Sequence, residues 1–319
     1  MGTSDHERAV PVWARLRARF SPHDFHPDLR ALAAVAPSRA VSRRSLPVLR
    51  GLVRMLRLRS SPHATEVITD AGVRIRVHRP RDPVAGPLPA LLWIHGGGYV
   101  FGLPEQDDAV CRGLAESLGI MVAAVDYRLA PEHPYPAALE DCYDAMTWLA
   151  RHADVDARQV AIGGASAGGG LTAALALLAR DRGEVTPTFQ LLVYPMLDDR
   201  TSARSDLDDT RWRLWDRRSN HFGWAAYLGD ADPEIAVPAR RTDLSGLAPT
   251  WIGVGTADLF HDESIAYSKR LAEAGVPCTV EIVTGAFHGF DLVMPSAPVS
   301  RSFFASQREA LRAALTVRD

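Results

Sequence analysis

Lysine is nearly absent. Lys269 is the only one in 319 residues, and because it is followed by Arg270 and preceded by no glycine, the chain has no Gly-Lys-Ser/Thr loop for nucleotide phosphates. Schiff-base chemistry would have to use that one side chain. Cysteine is scarce as well: Cys111, Cys142 and Cys278 are odd in number and widely spaced, which gives neither a disulfide framework nor a zinc spacing and reads as buried free thiols. No excess of either charge exists. Lys+Arg 36 against Asp+Glu 38 leaves a net charge of -2, too balanced to hold nucleic acid by a global field. Long apolar runs are missing too. The longest, Leu171–Ala179, is far too short to cross a bilayer, and the polar start Met1–Arg8 has no apolar stretch of the export type. The reading is a cytoplasmic protein without stable membrane insertion.

What is present is ordinary globular composition, 47% hydrophobic and 23% charged with Gly 24 and Pro 22. At roughly 100–200 residues per domain the length allows one large domain or two. Residues 1–60 stand apart. Val10, Trp13, Leu16 and Phe20, then Leu46, Leu49, Val53 and Leu56, recur at helical spacing among arginines and are interrupted at Pro22, Pro27 and Pro37. Short amphipathic helices are expected there, with the apolar face packed on the domain and the arginines in water.

From residue 65 strands and helices alternate. Strands are predicted at Thr65–Thr69, Val73–His78, Ala90–Ile94, Ile120–Val125, Val160–Gly163, Phe189–Val193, Thr250–Gly255 and Cys278–Val283. Helices are predicted at Glu105–Leu118, Ala137–Ala150, Ala167–Arg180, Glu263–Ala274 and Ser302–Thr316. An antiparallel start turning at Asp70-Ala71-Gly72, followed by strand–helix units, implies an α/β fold with a mostly parallel, doubly wound sheet. Between Pro195 and Pro249 no strand is evident, but Trp212, Trp215 and Trp224 put three of the seven tryptophans within thirteen residues. An inserted lid, about residues 196–230, accommodates both a core role and a ligand-contact role for them.

Ligands of such sheets bind at the carboxyl ends of the strands. After the fifth predicted strand comes Gly164-Ala165-Ser166-Ala167-Gly168, a Gly-x-Ser-x-Gly turn between a strand and a helix, where the tiny residues let the chain pass itself and expose Ser166. Gly168-x-Gly170-x-x-Ala173 is a rival match to a dinucleotide fingerprint, but Tyr194-Pro195 stands where the next strand should end in an acid. After the third strand, His95-Gly96-Gly97-Gly98-Tyr99 can turn backbone N–H groups toward one oxygen, and Ala167 at the helix N-terminus can add another. His95 reads as a structural hydrogen-bonding residue. Asp258 and His288 follow, each just past a strand, completing the order Ser, Asp, His. Asp262 is the competing acid, at an expected helix N-cap. His23 and His26 lack the companion ligands of a zinc site.

Together these residues resemble the hormone-sensitive-lipase-like (bacterial family IV) esterases of the α/β-hydrolase fold. The resemblance runs from about residue 60 to the C-terminus and includes His95-Gly96-Gly97-Gly98-Tyr99, the Ser166 pentapeptide, Asp126-Tyr127-Arg128-Leu129-Ala130-Pro131-Glu132-His133-Pro134-Tyr135-Pro136-Ala137-Ala138, Asp258-Leu259-Phe260-His261-Asp262-Glu263 and His288-Gly289-Phe290. It implies an eight-stranded, mostly parallel sheet with a helical cap, built from residues 1–60 and the second insertion, over a catalytic domain at 61–319. It also implies a serine carboxylesterase for short- to medium-chain acyl esters, with Ser166 as nucleophile, His288 as base, Asp258 as its orienting acid, and Gly97, Gly98 and Ala167 as oxyanion donors. No cofactor or metal is called for, and the expected partners are a small ester and, by analogy, a second copy in a homodimer. An amidase or formamidase would use the same residues, and a non-catalytic receptor branch of the fold lacks the histidine that is present here as His288. Ala165 stands where the family commonly has aspartate, and Leu259 where proline is usual.

Overall fold

Parallel strands covered on both faces must be apolar on both faces, and that is why the short apolar runs of this chain become one sheet. In the computed structural model, which describes residues 24–38, 41–59, 64–82, 86–207 and 211–315, the strands are β1 (Thr65–Ile68), β2 (Arg74–His78), β3 (Leu88–Ile94), β4 (Met121–Asp126), β5 (Val155–Ala165), β6 (Phe189–Val193), β7 (Thr250–Gly255) and β8 (Cys278–Val283). Their spatial order is β1-β2-β4-β3-β5-β6-β7-β8. β2 runs antiparallel to both β1 and β4, and every other pair is parallel. The first turn closes through Thr69 N–H to Val73 O at 2.9 Å, with Gly72 at φ 85.

Alternate side chains of β3 feed two separate cores. Leu92 and Ile94 join the helices Ala137–Arg151, Ala167–Arg182 and His261–Glu273, whereas Leu91 and Trp93 join Asp108–Leu118 and Pro298–Ala314. The run Leu171–Ala179 lies inside the buried helix Ala167–Arg182, and among the described residues no helix is long and apolar enough to cross a membrane. Lys269 is exposed on His261–Glu273.

Several expected boundaries move for identifiable reasons. The segment expected as Glu105–Leu118 begins as a 3-10 turn, Pro104–Asp107, before the α-helix proper. The last helix starts a turn early, at Pro298, because proline's fixed φ suits a first turn; Thr316 lies outside the described residues. Asp262 does not cap its helix, which begins at His261, and its carboxylate instead meets Arg204 at 2.8 Å. Of the three cysteines, Cys111 and Cys142 are buried and Cys278 is only half-buried.

The N-terminal expectation needs the larger correction. Val10, Trp13, Leu16 and Phe20 lie outside the described residues. The helix Leu46–Arg54 buries Leu46 and half-buries Leu49 and Val53, but Leu56 is exposed, and Val48, Leu52 and Met55 point away from the domain at 67%, 60% and 59% exposure. Nor are all its arginines in water. Arg50 reaches inward, donating to Val100 O at 2.7 Å, to Ala130 O at 2.8 Å and to both carboxylate oxygens of Glu132. That guanidinium holds the Glu132 carboxyl down to about 2.

Between β6 and β7 the described residues contain the 3-10 turn Asp199–Ala203, the helix Arg217–Leu228 and two shorter turns, Pro233–Ala236 and Pro238–Arg240. Trp212 and Trp215 precede the helix rather than lying on it. This stretch touches the N-terminal segment through Leu214 N–H to Pro37 O at 2.9 Å, Val41 N–H to Ser219 Oγ at 3.2 Å and Arg213 Nε to Ala33 O at 2.7 Å.

Candidate active site

Only one residue separates β5, which ends at Ala165, from the helix that begins at Ala167. That residue is Ser166, forced to φ 58 and ψ -121. Such a conformation costs a non-glycine residue about 1–3 kcal/mol and persists only where its surroundings over-determine it. Here the Ser166 N–H donates to Val193 O at 2.9 Å, and Ser166 O accepts from Gly170 N–H and Met196 N–H, both at 3.0 Å.

So sharp a reversal brings the new helix against the end of β3. A Cβ at Gly168 would lie 2.0 Å from Ile94 O and 2.6 Å from His95 O, both backbone atoms with nowhere to go. Gly168→Ala should therefore destabilise the protein by about 3 kcal/mol or more, lowering the melting temperature by roughly 6 °C or more. Gly113 serves as the internal comparison. It lies on the helix Asp108–Leu118 with nothing within 4 Å of an added Cβ, so Gly113→Ala should stabilise by about 0.5–1 kcal/mol. Thermal melts of both variants check the contrast.

Two further turns converge on Ser166. Asp258 follows β7, and His288 follows β8, each by a few residues. His288 Nε2 lies 2.9 Å from Ser166 Oγ, and its Nδ1 lies 2.9 Å from Asp258 Oδ2. A carboxylate only accepts, so Nδ1 carries the hydrogen and Nε2 is left to accept from the serine hydroxyl. The other oxygen of Asp258 takes the Phe260 N–H at 2.9 Å, fixing the carboxylate. Asp258 is 1% exposed, whereas Asp262 faces solvent and its Arg204 partner. Leu259 and Ala165, the two departures from the family pattern, are both buried.

The glycine loop after β3 packs against the serine, a Cβ at Gly96 lying 3.3 Å from Ser166 Cβ. Gly97 and Gly98 both have positive φ, 127 and 57, and a Cβ on Gly98 would sit 2.0 Å from the Trp215 ring. His95 is buried, which pushes its imidazole toward the neutral form. Its Nδ1 is 2.8 Å from Gly96 O and its ring stacks on Tyr127 at 4.2 Å. The Tyr127 hydroxyl in turn donates to His95 O at 3.0 Å, and Arg128 is bound to Asp141. The Asp126–Ala138 segment thus braces the loop from behind. Gly170, central to the rival nucleotide reading, is filled by protein: a Cβ there would lie 2.1 Å from Met196 O.

Three residues at the site, Tyr194, Asp291 and Arg50, were not singled out in the sequence, and of the three tryptophans expected in the lid it is Trp215 that reaches the site. Trp215 lies against Gly98 and 6.4 Å from the His288 ring. Tyr194 meets that ring edge-on at 4.8 Å and hydrogen-bonds Asp291, and Arg50 ties the N-terminal helix to Val100 O just past the glycine loop. The one available signal was position: Tyr194 follows β6 directly, and Asp291 follows His288 by three residues. Trp212 and Trp224 belong to the core, Trp224 tilting onto Tyr99 at 5.2 Å.

Comparison with known proteins places the chain among esterases. Residues 91–292 match the family described as alpha/beta hydrolase fold. Esterase LipI of Mycobacterium tuberculosis is 37% identical over 218 residues, covering 66% of this chain and 68% of that protein. Carboxylesterase NlhH of the same species is 32% identical over 297 residues, covering 86% of this chain and 92% of that protein. Among solved structures, esterase LipW from Mycobacterium marinum superposes with a TM-score of 0.82 at 36% identity, covering 92% of this chain and 97% of that one.

Proposed function

We propose that this chain, which belongs to the hormone-sensitive-lipase-like esterases of the alpha/beta hydrolase fold, is a serine carboxylesterase acting on short- to medium-chain acyl esters. The observation that carries the reading is the line Asp258–His288–Ser166, two contacts of 2.9 Å ending on a serine held at φ 58. Ser166 Oγ attacks the ester carbonyl as its proton passes to His288 Nε2, and Asp258 stabilises the resulting imidazolium. The N–H groups of Gly97, Gly98 and Ala167 take the developing oxyanion. Collapse of the tetrahedral intermediate breaks the bond to the alcohol, which leaves with the proton from His288. Water, activated by the same imidazole, then releases the acid from the acyl-enzyme. No cofactor enters any step, and three free thiols suit a reducing, cytoplasmic setting.

The chain-length assignment rests on the residues that cover Ser166. Ser166 and His288 are 6% and 8% exposed, Trp215 lies across Gly98, and the Leu214 side chain reaches Gly289. The N-terminal segment and the 196–230 insertion act together as the cap. Turnover of p-nitrophenyl esters from acetate to palmitate should peak among the short chains and fall away beyond. Trp215→Ala should raise the ratio of decanoate to acetate turnover roughly tenfold, the scale set by one or two accommodated methylenes. Palmitate as the best substrate, or an anilide turned over faster than the matching ester, would overturn the assignment.

A further inference from the structure

A second carboxyl stands behind the catalytic histidine and has no part in the steps above. Asp291 lies on the short helix Phe290–Val293, 2% exposed, and the Tyr194 hydroxyl donates to its Oδ1 at 2.8 Å. Tyr194 is unusual in its own right. It leaves β6 at φ 34, a conformation bulky L residues rarely adopt, and its N–H donates to Gly253 O at 2.7 Å. The residue before it, Val193, accepts the Ser166 N–H, while the Tyr194 ring presents its edge to His288 at 4.8 Å and 66°. One buried side chain therefore touches the histidine while its neighbour holds the serine.

Burial lifts the Asp291 carboxyl to about 6, against the opposing pull of the Tyr194 hydroxyl, of nearby backbone N–H groups and, last, of the charge on His288. The other ionisable groups around them are few. Asp107, itself lifted by burial to about 7, approaches from the turn before Asp108–Leu118 and accepts the Trp93 indole N–H at 2.8 Å. Asp258 acts on Tyr194 from the β7 turn. Arg308 of the terminal helix lines, with Asp291 and Gln106, a cleft of about 350 Å³ on the far side.

We propose that Tyr194 and Asp291 are a positioning pair for His288: the carboxylate holds, through the Tyr194 hydroxyl, the ring that braces the imidazole beside Ser166, and its charge stabilises the imidazolium formed when the serine gives up its proton. The inference rests on His288 serving as the base. Asp291→Asn keeps an acceptor for the tyrosine and removes only charge; Tyr194→Phe keeps the ring and removes only the hydroxyl.

In Asp291→Asn the imidazolium loses a nearby anion, so the acid limb of the kcat/KM profile should move to lower pH by roughly half a unit. Tyr194→Phe should lower kcat about tenfold with KM within twofold, because it loosens the ring rather than substrate binding. A purely structural pair would lower the melting temperature of both variants and leave these quantities unchanged, and that result overturns the proposal. Should Asp291→Asn not fold, Tyr194→Phe decides alone. Titration of the His288 ring by NMR in 15N-histidine-labelled wild type and Asp291→Asn reads the same shift without turnover. An enzyme silent on every ester but showing that shift would count against the esterase reading alone, and equal midpoints in an active enzyme against the positioning pair alone.

Discussion

Ser166→Ala should fold like the wild type and hydrolyse p-nitrophenyl butyrate ~10⁴–10⁶ times more slowly. The substitution removes a single oxygen. The elbow hydrogen bonds to Val193, Gly170 and Met196 all involve main-chain atoms, and an alanine meets the same backbone cost at φ 58 as the serine does. His288 keeps its contact with Asp258, and the glycine loop is untouched, so the remaining rate should be that of a water molecule activated in a preformed oxyanion site. A fluorophosphonate that forms a covalent adduct with the wild type should leave the variant unlabelled by mass spectrometry. Retention of a few per cent of the activity, or labelling elsewhere in the chain, would remove Ser166 from the mechanism.

Asp258→Asn should cost about 10⁴ in kcat while leaving the site's shape almost unchanged. Asparagine can offer its amide N–H to His288 Nδ1, which moves the ring hydrogen to Nε2, the atom that has to accept the serine proton. Phe260 N–H retains an oxygen to bond, so the loss is one of tautomer rather than of fold. Asp262→Asn is the matched control. Its carboxylate is about half exposed and paired with Arg204 at 2.8 Å, an ion pair of a kind worth about 0–1 kcal/mol, and its turnover should stay within twofold of wild type. Equal losses in the two variants would mean that the orienting acid has been misassigned.

The contrast between these two aspartates marks where sequence reasoning reaches and where it stops. The buried central strands announce themselves as apolar runs, and the more exposed edge strands β1 and β8 as short β-branched stretches, so all eight strands were legible, and the order of Ser166, Asp258 and His288 relative to strand ends was legible with them. In the sequence the preference for Asp258 over Asp262 rests on an N-cap expected at Asp262, and that cap is not formed; the directions of the two side chains supply a different reason for the same preference. One is buried under Phe260, and the other sits in the first helical turn facing solvent. Arg50 was invisible for a related reason: an arginine on an amphipathic helix points to water by default, and only the carbonyls of Val100 and Ala130, exposed by a distant loop, draw it inward. Tyr194 and Asp291 act through contacts across more than 90 residues of chain, and Trp215, noted in the sequence only as one of a cluster, through contacts across 73 and 117, none of which leaves a local periodicity to read. The outward face formed by Val48, Leu52 and Met55 reverses a pattern that had suggested only one apolar side.

The position of Lys269 has a practical consequence. Its helix, His261–Glu273, starts beside Asp258 at the carboxyl end of β7 and descends toward the start of β8, so at about 1.5 Å per residue the amine stands roughly 12 Å down the flank from the site. Apart from the N-terminus it is the chain's sole primary amine. Amine-reactive chemistry above the pH that favours the terminus should tether every molecule by the same side-chain point, on the flank rather than at the carboxyl ends of the strands.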